Sequence, residues 1–161
     1  MGISGHILKK KEDTDINKLI KDVRDAANNA GLEPRIESTI YDCLYQEGVY
    51  TTANIADTYD DIPGAQQWIM YLYSSDDCLD GFEWILEGGH LIRAIIIENF
   101  TECEKMLLDF LYEYLKLNPE DYFWDELDWY YTFEDIKKIR QNEFDRYWCY
   151  QNPNLINDNS K

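Results

Sequence analysis

Two hydrophobic periods run through this chain, and both are clearest between Gly88 and Leu117. His90-Leu-Ile-Arg-Ala-Ile-Ile-Ile-Glu98 is the most apolar run. Its three consecutive isoleucines, Ile95, Ile96 and Ile97, are β-branched and stiff at χ1, which suits a pleated, packed surface. Apolar residues on both alternating faces predict a central strand covered on both sides. Thr101-Glu-Cys-Glu104 then has the spacing of a capping box. Behind it, Cys103, Met106, Leu107, Phe110, Leu111 and Tyr114 recur every three or four residues, predicting a helix with one buried stripe. Asn118-Pro119 ends it.

The remaining elements follow from the same patterns. Gly5–Lys10 predicts a short first strand, with Lys9–Lys11 as a solvated basic run. Asp13, Thr14 or Asp15 caps a helix whose stripe is Ile16, Leu19, Ile20, Val23, Ala27 and Ala30, and Gly31 stops it with a positive φ. Residues 35–47 fit a helix through Ile36, Ile40, Cys43 and Leu44 but a strand through their β-branched content, and the strand is favoured. Gly48–Asp57 predicts a strand with Val49, Thr51 and Ala53 on one face. Trp68–Tyr73 fits either element and is taken as a strand. Phe82–Leu86 and His90–Glu98 flank Glu87-Gly-Gly89, a hairpin signal. Thr132-Phe-Glu-Asp135 caps a last helix containing Ile136, Ile139, Phe144, Tyr147 and Trp148, and residues 153–161 read as a frayed tail. The expected fold is a single α+β domain over residues 1–161. Its mainly antiparallel sheet has about four or five strands, packed by helices at approximately 14–30, 101–117 and 132–150.

Charge changes the picture more than composition does. The chain of 161 residues has a formal net charge of −17. Residues 51–134 hold three basic and nineteen acidic side chains, so nearly all of the excess lies in the middle. Such a field repels nucleic acid and anionic membrane and attracts a basic partner, although it also serves plain solubility. Met1–Lys11 lacks a secretory apolar core and no apolar run is long enough to span a membrane, so a cytoplasmic location is expected. Four cysteines, Cys43, Cys78, Cys103 and Cys149, stand singly and read as reduced thiols.

Candidate chemistry is sparse. Asp76 to Glu87 follows a calcium-loop spacing, but Cys78 occupies the third position and Glu83 the apolar eighth, so a loop leading into a strand is the better reading and no metal is expected. His6 and His90 lack a nucleophile signature, and no phosphate-binding glycine loop is present, so neither a cofactor nor an enzymatic activity is expected. The acid pairs Asp60/Asp61, Asp76/Asp77, Glu120/Asp121 and Asp125/Glu126 read as a solvated rim.

The densest local feature is Glu120-Asp-Tyr-Phe-Trp-Asp-Glu-Leu-Asp-Trp-Tyr-Tyr131, with five acids and six aromatics in twelve residues. Aromatic anchors flanked by acids suit an interface with a basic protein, though the same rings also suit a core. In size, charge and this stretch, the chain resembles the immunity proteins that bacteria pair with polymorphic or contact-dependent toxins. The resemblance implies an inhibitor that occludes the active site of a cognate toxin domain, often a basic nuclease. The expected partner face is Glu120, Asp121, Trp124, Asp125, Glu126, Asp128 and Trp129, joined by Asp60, Asp61, Asp76 and Asp77. Two other readings stay open: a DNA-mimic inhibitor of a DNA-binding or restriction system, and an enzyme with a carboxylate site assembled from distant residues.

Overall fold

In the computed structural model, which describes residues 3–43, 46–60, 63–73, 83–86 and 89–155, seven strands form one antiparallel sheet with three helices packed on it. The strands are β1 (Gly5–Lys10), β2 (Glu33–Cys43), β3 (Gln46–Ala56), β4 (Gln67–Leu72), β5 (Glu83–Leu86), β6 (Gly89–Glu98) and β7 (Tyr122–Trp124). The helices are α1 (Ile16–Asn29), α2 (Glu104–Leu117) and α3 (Phe133–Gln141). The α+β class stands, with more strands than expected. The ambiguous stretches at 35–47 and 68–73 lie largely in strands.

The strand order is β2-β3-β4-β6-β1-β7. β1 pairs with one edge of β6 along its whole length, from Gly5↔Ile97 to Lys10↔Leu91. The other edge is shared: β4 takes Ile95–Glu98 and β5 takes Gly89–Ile92. Both run antiparallel to β6, so β4 and β5 are two segments of one line, interrupted between Leu72 and Glu83.

Period two sorts the two faces. Ala53, Ile55, Trp68, Met70, Ile95, Ile97, Ile7 and Phe123 join one cluster with Leu19, Val23, Leu107, Phe110, Leu111 and Ile136 of the helices. A bulge between Ile7 and Leu8 leaves Ala94 opposite no residue of β1, and Ala94 and Ile95 both enter this core. The bulge, rather than two covering layers, accounts for much of the continuous apolar run in β6. The opposite face is mixed: Leu8 and Leu91 are buried, whereas Ile69, Tyr71 and Ile96 are only half-buried.

Helix starts depart from expectation in one case and agree in two. Asp15 caps α1 by accepting from the amides of Asn17 and Lys18, and Gly31 takes φ 75°. Thr132 and Asp135 form a reciprocal capping box. The box expected at Thr101–Glu104 does not form. Glu102 adopts φ 71°, the Cys103 amide bonds back to the Phe100 carbonyl, and α2 starts at Glu104 without a side-chain cap. The Glu104 carboxylate instead accepts from the Tyr150 hydroxyl at 3.3 Å, and its carbonyl accepts from the Trp148 indole at 2.9 Å. The last helix is also shorter than expected. Asn142 is extended, so Phe144 and Tyr147 leave the buried stripe and stand exposed, while Trp148 returns to the core through a short 3-10 turn, Trp148–Tyr150.

Candidate partner interface

The chain from Asn118 to Tyr131 turns from the end of α2 into the edge strand β7, and its acids take different environments. Glu120 is exposed and bonds Lys10 Nζ at 2.8 Å. That ammonium holds its carboxyl below the usual range. Asp121 points inward, contrary to its expected place on an exposed face. Lys9 Nζ reaches its two oxygens at 3.2 and 3.1 Å, and the Tyr114 hydroxyl donates to Oδ2 at 2.9 Å. Burial raises the Asp121 carboxyl, and Lys9 and Tyr114 pull it back.

This network extends further. Lys9 also donates to Asn118 Oδ1 at 3.1 Å, Asn118 Nδ2 donates to Asp22 at 3.3 Å, and Lys18 pairs with Asp22. Lys9 is therefore buried rather than solvated. It follows Ile7 by two residues and so shares the helix-facing side of β1. A cleft of about 520 Å³ opens beside the network, lined by Lys9, Lys18, Asn118 and Asp121 among others. Lys9, Asn118 and Asp121 spend their side-chain polar atoms on one another, on Asp22 and on Tyr114, which leaves little in the network to orient a ligand.

β7 pairs with β1 through His6↔Trp124, Ile7↔Phe123 and Leu8↔Tyr122. Phe123 enters the core, and its amide and carbonyl bond Tyr131 at 2.9 and 2.8 Å. Residues 125–130 thus form a strap whose two ends are tied together. Tyr122 and Trp124 project to the mixed face. The Trp124 ring lies 5.1 Å from the His6 ring and stacks on Tyr130 at 6.1 Å, and Tyr122 meets Tyr130 edge-on at 6.5 Å. The Trp124 indole donates to the Leu127 carbonyl at 2.8 Å. All three rings stay half-buried.

Within the strap, Asp125 is fully buried, again contrary to an exposed face, and neither carboxylate oxygen has a hydrogen-bond partner. Burial pushes its carboxyl up to about 7, with only partial compensation from the amides of Asp125 and Leu127. Glu126 sits at φ 68° and accepts from His6 Nε2 at 2.8 Å. His6 is buried, and that burial lowers its pKa against the raising effect of the Glu126 bond. Asp128 is exposed. Trp129 is half-buried and donates to the Tyr131 hydroxyl at 2.9 Å.

The structure therefore places Glu126, Asp128 and Trp129 in one strap that follows Trp124 at the end of β7, with Glu120 beyond the other end of β7. Asp60 is exposed in the β3–β4 connection, and β4 lies three strand positions from β7. Asp61, Asp76 and Asp77 lie outside the described residues. Sequence reasoning missed His6, Tyr122 and Tyr130; the period-two pairing of β1 with β7 is the signal that would have joined the first two. Among the described residues, no group of three or more His, Cys, Asp or Glu is placed to hold a metal, and no helix is long and apolar enough to cross a membrane. Comparison of the chain with protein-family models, curated proteins and solved structures finds no match in any of the three.

Proposed function

We propose that this chain is a protein-binding inhibitor of the immunity type, which neutralises a basic toxin domain by covering its active site or substrate groove. The observation that carries the reading is the corner formed by Tyr122, Trp124 and Tyr130 beside the exposed carboxylates of Glu126 and Asp128. Half-buried aromatics packed on one another supply contact area with little rotamer freedom to lose, which suits an anchor. The adjacent acids speed encounter with a cationic surface. The interior positions of Asp121 and Asp125 remove two of the five acids from any row along this stretch, which favours this inhibitor over a phosphate-spaced DNA mimic.

The test is co-purification at low and then moderate salt, followed by expression of the captured protein. A basic partner that is toxic alone and harmless when co-expressed with this chain supports the reading. Glu126→Lys with Asp128→Lys should slow association about tenfold at low salt, and Trp124→Ala should mainly speed dissociation. A neutralised partner whose binding ignores all three substitutions removes this corner as the interface.

A further inference from the structure

We propose that Asp125 is a proton-operated latch: its neutral carboxyl lets the 125–130 strap close over the sheet edge, and its ionised form releases the strap and the Trp124–Tyr130 pair. The latch is a property of the free chain, while its effect on partner binding rests on the interface proposed above. Asp125 is fully buried with both oxygens unpartnered, a state a carboxylic acid tolerates far better than a carboxylate. The groups that face it are Glu126 on the strap, Tyr131 where the chain rejoins β7, and Cys149 in the C-terminal 3-10 turn. None is cationic. Burial pushes the Cys149 thiol up to about 12 and the Tyr131 phenol well above its ordinary value, so both stay neutral near pH 7. Only the backbone amides of Asp125 and Leu127 offset a charge on Asp125, and burial outweighs them, pushing its carboxyl up to about 7.

The strap is also held in a way that lets it open. Glu126 occupies the left-handed region at φ 68°, where a non-glycine residue stores strain, and its fastening to His6 is a single hydrogen bond of 2.8 Å. His6, which faces Glu126, Arg93 and Glu98, is shifted the other way, towards a lower pKa. Burial thus favours the neutral form of His6, as it does that of Asp125.

The experiment follows amide exchange in the free protein at pH 5.5 and pH 8.0, corrected for the intrinsic dependence on pH, with β4 amides as the internal reference. Protection of residues 126–131 should fall at least tenfold at the higher pH in the native chain while β4 is unchanged. Asp125→Asn should abolish the difference, and His6→Gln, which keeps a donor but does not titrate, should preserve it. Equal protection at both pH values, or a pH response that survives Asp125→Asn, overturns the latch. A carbon-13 titration of the native Asp125 carboxyl needs no variant to fold: a midpoint near 7 supports the proposal and one near 4 overturns it. None of these readouts uses a partner, so a failed interface and a failed latch give different results.

Discussion

Asp121 and Asp125 are four residues apart, flank the same three-residue strand and are both buried, yet they are opposites. Asp121 has an ammonium and a phenol within hydrogen-bond distance; Asp125 has no hydrogen-bond partner for either oxygen. The first is a fastening between α2 and β1. The second is a position where protonation decides how comfortable the surrounding backbone is. Burial alone therefore does not say what an acid contributes. The decisive quantity is what stands opposite it when water is removed.

Breaking the paired site should have the largest effect. Lys9→Met leaves the Asp121 carboxylate uncompensated and should cost about 3–5 kcal/mol in urea unfolding. Adding Asp121→Leu should bring the loss below about 2 kcal/mol, because the orphaned charge is gone. A double variant as unstable as Lys9→Met would show that the network acts through packing instead.

At the unpaired site the sign reverses. The folded chain retains the Asp125 proton up to about pH 7, whereas an unfolded chain releases it near pH ~3.9. The folded state binds more protons across that window, so this residue's contribution to stability declines as pH rises from about 4 to about 7. Asp125→Asn should accordingly match the native chain at pH 4 and exceed it by about 1–3 kcal/mol at pH 8, measured by denaturant melts at each pH. A variant less stable than the native chain at pH 8 would contradict the assignment.

Smaller changes sharpen the contrast. A Cβ on Gly5 would stand 2.7 Å from the wholly buried Phe123 ring, whose strand separates the two acids. Gly5→Ala should displace β7 and cost about 1–2 kcal/mol in the same melts. The exposed neighbour Glu120 is the control: Glu120→Gln removes the negative charge of its pair with Lys10 and should leave the melting temperature unchanged.

Much of the fold was legible because strands and helices carry their own periods. The stripe Leu19, Val23, Ala27 and the shared face of Thr51 and Ala53 needed only local pattern, and the Thr132–Asp135 box needed only four residues. The failed box at Thr101 shows the limit. Its outcome depends on Glu104 meeting Trp148 and Tyr150, more than forty residues later, which no local spacing encodes. The acidic stretch failed for a related reason. Five acids look equivalent in sequence, and only the pairing of β7 with β1 decides that Asp121 meets Lys9 while Asp125 meets no cation. Period two alone would have placed Lys9 beside Ile7 on the inner face.

The broken line formed by β4 and β5 carries a practical consequence. Because Ile95 and Ile92 grip the two flanking segments independently, the register of each is fixed without reference to the chain that joins Leu72 to Glu83. A change that breaks one of these ladders therefore leaves the other in register on β6.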